Sequence, residues 1–194
     1  MKLCSHIIKN DSGLAPNPFH GYCTTAVCTP SHMRANLKEG DWLVGISPKS
    51  DGNQLVYAMR ISQRLSMNDY FHDRRFGSKK PKLNGNEIEQ CGDNLYYQRG
   101  ANWERLPSPF HNGPRDFDKD KGCPVFISDY FYYFGNRRVT VPDDLTGITR
   151  VGRGISYKDH PLADKFVTWL EANHKPGRRG KPRDMLTHPR RRAC

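Results

Sequence analysis

Cations and aromatic rings are concentrated between residues 70 and 82, a combination that suits contact with nucleic acid. The cations expected to hold phosphate groups are Arg74, Arg75, Lys79 and Lys80. Tyr70 stands beside them and offers a ring on which a base can stack. Proteins that bind single strands, or bases turned out of a duplex, combine charge with stacking in this way. The segment therefore predicts nucleic acid or a nucleotide as the partner.

A second group of candidates surrounds the segment 11–22, where two prolines and two glycines predict a fixed loop. Binding residues often lie on loops of this kind. Together with residues further along the chain, eight side chains are expected to stack on a base or to bond to its edge: Asn17, Phe19, Tyr22, Asp41, Trp42, Tyr70, Asp93 and Asn94. Structural alternatives stay open, because Phe19 could instead cap the core and Trp42 could be part of it.

Catalysis is the alternative to binding. The candidates for an acid, a base or a nucleophile are Asp11, His20, Cys23 and Asp93. The sequence has none of the common strings of serine hydrolases, zinc proteases, phosphate-binding loops or nucleobase deaminases. The residue types thus allow an enzyme that makes or processes a modified nucleotide, without naming its reaction.

Six cysteines raise the question of a metal site. Four residues separate Cys23 from Cys28, and Cys4 alternates with His6 on a predicted strand, so these four could form a zinc site. The spacing is wider than in the usual zinc knuckle, and buried free thiols are the alternative. We predict no metal and no cofactor.

The start of the chain lacks the hydrophobic region of a signal peptide, and no apolar run is long enough to span a membrane. We therefore expect a cytoplasmic protein with reduced thiols and no membrane contact.

The element that must position most of the candidates is a hairpin. Residues 42–46 (WLVGI) follow a Gly-Asp turn, and residues 55–61 (LVYAMRI) form a second apolar run after a polar turn. The two runs predict paired antiparallel strands. A short helix is expected at 31–37, and the aromatic run 124–134 predicts a central strand with one face in the core and the other beside a cleft.

The segment 159–173 predicts the one long helix. Asp159 is a suitable N-cap, and an apolar stripe faces one side: Leu162, Phe166, Trp169 and Leu170. Residues 174–194 then contain eight Lys and Arg and only one Asp, so this segment carries most of the chain's net charge of +11. This basic end has too little apolar surface to fold alone. It would either be a solvated tail or attract a polyanion by counterion release.

Several blocks of sequence, taken in order, resemble a known family. They are the loop sequence at 11–34, the hairpin, DRRFGSKKP at 73–81, CGDNLYY at 91–97 and FYYFG at 131–135. The hairpin resembles the PUA-like group of small β-barrels, which includes the ASCH and EVE domains. The whole order, over roughly residues 1–155, is similar to the second of the nucleotide-modification-associated domain families. Its members occur in bacteria and phages beside genes for DNA base modification.

The resemblance implies an α+β fold: a small mixed PUA-like β-barrel with short peripheral helices and one C-terminal amphipathic helix. The expected divisions are 1–155 for the recognition domain, 156–174 for the helix packed on it, and 175–194 for a disordered basic tail. The expected function is recognition of a modified nucleobase or nucleotide. An enzyme acting on such a nucleotide, and an accessory protein that binds a partner through its tail, are the alternatives.

Overall fold

The computed structural model describes residues 1–28, 35–152 and 154–185. Its strands, numbered in chain order, are β1 Leu3–Ile7, β2 Cys23–Thr25, β3 Trp42–Ile46, β4 Leu55–Arg60, β5 Gln63–Leu65, β6 Tyr96–Arg99, β7 Asn102–Arg105, β8 Val125–Ser128, β9 Tyr130–Tyr133, β10 Ile155–Lys158 and β11 Gly177–Arg178. Its α-helices are α1 Met67–His72, α2 Glu87–Gln90, α3 Asp116–Asp120 and α4 His160–Asn173, and short 3-10 helices span Lys49–Asp51, Arg74–Lys79, Gly135–Arg137 and Asp143–Ile148. Most of the helix expected at 31–37 lies outside the described residues.

The predicted hairpin is confirmed and forms the centre of the largest sheet. Strands β3 and β4 pair antiparallel, and every residue of β3 is buried because the sheet is covered on both faces. The six-stranded sheet has the order β10-β1-β3-β4-β9-β11, in which β1 runs parallel to β3 and β11 runs parallel to β9. Gly45 is required in β3, since a side chain there would collide with the ring of Tyr57 on β4.

The fold is α+β, but the expected barrel is not formed. Within the described residues the strands make three open sheets: the six-stranded one, a three-stranded sheet β2-β8-β5, and the hairpin β6-β7. The large sheet ends in different edge strands, β10 and β11, which do not pair with each other. The chain passes from the large sheet to the three-stranded one after β4 and returns to the large sheet between β8 and β9.

The expected single strand at 124–134 is therefore two strands in two sheets. The break falls at Asp129, where the Ser128 hydroxyl donates to the carbonyl of Tyr130 (2.7 Å) and accepts from its N–H (3.2 Å). These local bonds turn the chain and leave Asp129 exposed at the corner. An aromatic run alone does not reveal such a turn, because Ser and Asp are also tolerated within strands.

Helix α4 begins as predicted, with the Asp159 carboxylate accepting the N–H of Leu162 at 2.9 Å. Its buried residues are Ala163, Phe166 and Leu170, which pack in one cluster with Trp42 and Tyr132 of the large sheet. The apolar stripe thus faces the core, as expected. No helix in the described parts of the chain is long and apolar enough to cross a membrane.

The basic end differs from the expectation of a disordered tail over residues 175–185. Gly177 and Arg178 form strand β11, and the N–H of Arg179 donates to the carbonyl of Tyr133 at 2.8 Å. Further on, Asp184 and Asp11 exchange two bonds: the Asp184 N–H donates to the Asp11 carbonyl, and the Asp11 N–H donates to the Asp184 carboxylate. Backbone bonds to distant residues order this segment, which composition does not report.

The packing of α4 predicts a large loss of stability when its central ring is removed. Phe166 is fully buried, so Phe166→Ala should lower the free energy of unfolding by about 3–5 kcal/mol. The adjacent Lys165 is exposed, and Lys165→Ala should change it by less than about 0.5 kcal/mol. Urea denaturation of both variants measures the difference. Equal stabilities would mean that α4 is not part of the core.

Candidate functional site

A cleft of about 520 Å³ lies where the loop before β2, the corner at Asp129 and the segment leading into β11 meet. Its lining is Pro18, Phe19, His20, Gly21, Ile88, Asp129, Phe131, Pro176, Gly177 and Arg178. The volume falls within the usual range for small-molecule sites. The cleft is open on one side and combines apolar walls with a few polar groups.

Three of the ten residues that line the cleft are aromatic. Phe19, His20 and Phe131 supply rings, and the rings of Phe19 and His20 meet edge to face with centroids 6.5 Å apart. Two left-handed residues, His20 (φ 58°) and Gly21 (φ 82°), turn the loop so that His20 is exposed at the rim. Aromatic walls of this kind suit a flat, partly apolar ligand.

Two charged groups stand at the rim. The Arg178 guanidinium lies over the ring of Phe19, 5.2 Å from its centroid, and remains exposed. Asp129 is exposed, and its carboxylate pairs with none of the described residues. An arginine supplies several donors and a carboxylate only acceptors, so the rim can bond to both kinds of group on a ligand.

A basic pocket of about 480 Å³ adjoins the cleft and shares Arg178 with it. Its lining is Asn136, Arg137, Arg178, Arg179, Gly180 and Lys181. The four cations are exposed, and none forms an ion pair within the described residues. Two neighbouring arginines differ, since Arg138 and Arg183 both pair with Asp51.

The loop that forms one wall of the cleft is held from inside by Lys79. This side chain is buried, and its ammonium donates to three oxygens: the Asn17 carbonyl (3.0 Å), the Asn17 side-chain oxygen (2.8 Å) and the Tyr22 carbonyl (3.0 Å). All three ammonium donors are therefore used. Burial lowers the pKa of Lys79 from 10.5 to about 8. The amide of Asn17 also donates to the Cys91 carbonyl at 2.9 Å, so both ends of the loop are fixed.

A second buried group supports the strand that follows this loop. The Asp93 carboxylate accepts from the hydroxyls of Thr24 (2.6 Å) and Tyr70 (2.8 Å). Burial raises the pKa of Asp93, while Lys79 and the two hydroxyls oppose that rise. Asn94, also buried, donates to the carbonyls of Tyr70 and Phe76. Three of the residues expected to read a base thus make hydrogen bonds inside the protein.

The remaining expected base contacts divide between the core and the cleft. The Asp41 carboxylate accepts the N–H groups of Lys2 and Lys38 at the turn before β3. Trp42 stacks on Tyr132 in the core, with ring centroids 6.4 Å apart. Tyr22 packs its edge against Phe76. Of the eight, Phe19 alone lines the cleft, and Asn17 lies just behind it.

The cations expected to hold phosphate are not assembled into one site. Arg75 pairs with Asp73 at 2.6 Å, and the Lys80 ammonium lies 3.7 Å from the centre of the Phe71 ring. Arg74 is exposed, whereas Lys79 is buried behind the cleft. Three of the four cations at the basic pocket, Arg178, Arg179 and Lys181, belong instead to the segment that was expected to be disordered.

The candidate catalytic groups are separated as well. The Tyr133 hydroxyl donates to the buried Asp11 carboxylate at 2.6 Å, which also accepts the Arg183 N–H. Burial raises the pKa of Cys23 to about 12, so its thiol stays protonated at neutral pH. His20 lines the cleft, and burial, followed by the Lys79 charge, lowers its pKa.

The cysteines do not assemble the zinc site considered from the sequence. Cys4 and Cys23 are buried with free thiols, while the Cys28 sulfur lies 3.0 Å from Nδ1 of His111, a histidine outside the considered set. His6 Nε2 contacts the Tyr57 hydroxyl at 2.7 Å. Across residues 1–28, 35–152 and 154–185, no three or more His, Cys, Asp or Glu are placed to hold a metal ion.

Sequence reasoning missed the residues that complete the cleft: Ile88, Asp129, Pro176, Gly177 and Arg178. The glycine at position 177 is the one sequence signal among them, because glycine often marks a positive φ, and Gly177 has φ 103°. The others lie at an exposed corner, on a short helix and on a chain end, where residue type says little about contacts. The aromatic run was expected to border a cleft, and Phe131 of β9 lines it.

The buried ammonium predicts that Lys79 is structural. Lys79→Met leaves three oxygens without their donor and Asp93 without its nearest cation, so unfolding should become easier by about 3 kcal/mol. The matched variant Lys80→Met removes the same charge from a partly exposed site and should cost less than about 1 kcal/mol. Chemical denaturation of both variants makes the comparison. Equal losses of stability in the two variants would contradict the structural role of Lys79.

The buried His6 predicts an acid-dependent loss of stability. Burial lowers its pKa from 6.5 to about 4, so the folded protein binds fewer protons than the unfolded chain between these values. Stability is therefore lost as the pH falls through this window, by about 2 kcal/mol from His6 between pH 7 and pH 5. His6→Asn should lose that much less over the same interval, as measured by urea midpoints. If the stability of the two proteins falls equally between pH 7 and pH 5, His6 is not the group responsible.

Comparison with known proteins places this geometry in a family. The family model described as nucleotide modification associated domain 2 matches residues 1–189, which include the cleft, α4 and the segment that carries the basic pocket. Searches of curated proteins and of solved structures found no match. Since the matched region covers nearly the whole chain, this protein belongs to the nucleotide modification associated domain 2 family.

Proposed function

We propose that the protein recognises a modified nucleobase or nucleotide, in a bacterial or phage DNA-modification setting. The family association with nucleotide modification supports the class of ligand. The observation that carries the proposal is the meeting of an aromatic cleft and a set of unpaired cations at Arg178. A nucleotide has the complementary layout, with a flat base at one end and phosphate at the other.

The base would enter the cleft between His20 and the corner of the chain at Asp129. Rings at the wall would contact its face, and stacking of a base on an aromatic side chain contributes about 1–3 kcal/mol. The cleft of about 520 Å³ is large enough for a base that carries an added group. The phosphate would then lie toward Arg179 and Lys181.

Hydrogen bonds at the rim would read the edge of the base. The Asp129 carboxylate accepts bonds, so it suits an exocyclic amino group such as that of cytosine or adenine. Arg178 donates bonds and suits a carbonyl or ring nitrogen. Discrimination of this kind contributes about 1–3 kcal/mol per well-formed pair.

Binding is favoured over catalysis by the state of the candidate catalytic groups. Asp11 and Asp93 are buried in hydrogen bonds, and Cys23 is a buried, protonated thiol. Of the four candidates, His20 is the one that lines the cleft. A lone histidine beside aromatic rings supports contact with a base more readily than a chemical step that needs several groups in reach of each other.

Filling the cleft tests the proposal. Ile88 is half-buried at its wall, so Ile88→Trp should occupy the space of the base. The probes are 12-residue oligonucleotides that are identical except for one base: cytosine, 5-hydroxymethylcytosine, adenine or N6-methyladenine. We expect the native protein to prefer one modified base, and Ile88→Trp to weaken that preference by roughly tenfold, since one stacked base is lost. Fluorescence anisotropy measures each affinity.

The matched control is Leu83→Trp, which places the same ring on an exposed leucine outside the cleft. It should leave the base preference unchanged. His20→Asn is a gentler test, because asparagine tolerates the left-handed backbone at this position and removes only the ring. A preference that survives both cleft variants would place base recognition elsewhere, and the absence of any preference in the native protein would overturn the proposal.

A further inference from the structure

The cations beside the cleft are held on a rigid backbone. The Asn136 N–H donates to the Lys181 carbonyl at 2.8 Å, and the Lys181 N–H donates to the Asn136 side chain at 3.0 Å. Gly180 packs so closely on the carbonyl of Phe134 that a side chain would collide with it. Their backbone is therefore fixed while their charged ends stay exposed, so little further ordering is needed when a ligand binds.

The spacing of these cations exceeds what one phosphate group requires. Arg178, Arg179 and Lys181 follow one another closely along the chain, which bends at Gly180, and Arg137 lines the same pocket. Fully extended, the stretch from 178 to 181 would span about 10 Å, and the bend shortens it. The phosphates of one stacked DNA strand rise by about 3.4 Å each, so the cations can reach two or more of them.

The local charge also favours a polyanion. Among the described residues no carboxylate lines the basic pocket, whereas the neighbouring Arg138 and Arg183 both pair with Asp51. Arginines close to each other in the sequence therefore differ: Arg138 and Arg183 form ion pairs, whereas Arg178 and Arg179 form none within the described residues. Unpaired exposed cations in a row are the arrangement that releases counterions from a phosphate backbone.

We infer that the ligand is a nucleic-acid strand rather than a free nucleotide, and that its phosphodiester backbone follows the row Arg178, Arg179 and Lys181, with Arg137 opposite. This inference rests on the proposed function, because it takes the base of the same strand to lie in the adjacent cleft. Arg178 lies at the junction, where the backbone passes the base that has entered the cleft.

The test separates backbone contact from base recognition. Arg179→Ala/Lys181→Ala should weaken binding of every 12-residue single strand uniformly, by roughly tenfold at 100 mM salt, without changing the ratio between modified and unmodified bases. The slope of log affinity against log salt should become shallower by about 1.4, since each phosphate contact on a single strand contributes about 0.7. Fluorescence anisotropy over a salt series gives both numbers.

The matched control is Lys82→Ala/Arg99→Ala, which removes one lysine and one arginine that pair with Glu89 and Glu104 outside the basic pocket. Its affinity and salt slope should equal those of the native protein. The same reduction in both double variants would mean that net charge alone is responsible, and would overturn the inference.

A free nucleoside monophosphate carrying the preferred base is the second probe. We expect it to bind at least tenfold more weakly than the 12-residue strand. If it binds as tightly, and the pocket variant leaves the salt slope unchanged, the strand inference fails while base recognition in the cleft stands. If the slope changes as expected but Ile88→Trp has no effect on base preference, the backbone surface stands and the proposed function fails.

Discussion

The cleft depends on one buried ammonium. The Lys79 ammonium bonds to both ends of the short loop that forms a wall of the cleft, at Asn17 and at Tyr22. A buried lysine is costly unless its donors are satisfied, and here three oxygens of the loop satisfy them. Any other conformation of the loop would leave the buried ammonium without acceptors. The cost of burying the Lys79 charge therefore stabilises this conformation of the loop.

The other wall depends on backbone pairing over long sequence separations. Strand β11 joins the edge of the large sheet beside β9, and the Asp11 carboxylate accepts the N–H of Arg183. Asp11 thus connects the first loop of the chain to its last described residues. The two walls combine an irregular loop, which buried polar groups hold in place, with the edge of the large sheet at Phe131 and Arg178.

Local elements could be predicted well from the sequence. The hairpin β3–β4, the cap of α4 at Asp159 and the inward face of Phe166 all follow from neighbouring residues. Their patterns depend on periodicity and on side chains three or four positions away. The family resemblance, which used whole blocks of sequence, was also confirmed.

The parts that could not be predicted depend on distant contacts. Lys79 was expected to hold phosphate because it lies in a segment rich in cations, and only the fold brings Asn17 and Tyr22 around it. The basic segment was expected to be disordered because its composition lacks apolar residues, yet hydrogen bonds to Tyr133, Asn136 and Asp11 order it. A count of charges shows that the chain is basic, but not on which side of the molecule the exposed cations lie.

Gly135 lies at the contact between the large sheet and the basic segment. Its backbone has φ 56°, and an added β-carbon would collide with the carbonyl of Lys181. The basic segment can pack this closely on the large sheet because residue 135 has no side chain. Gly135 itself contacts no ligand in the proposed arrangement. The distance of this segment from the sheet depends on the backbone at Gly135 and not on the charged side chains. Substituting the basic residues would therefore change the charge of the surface and leave its position relative to the core the same.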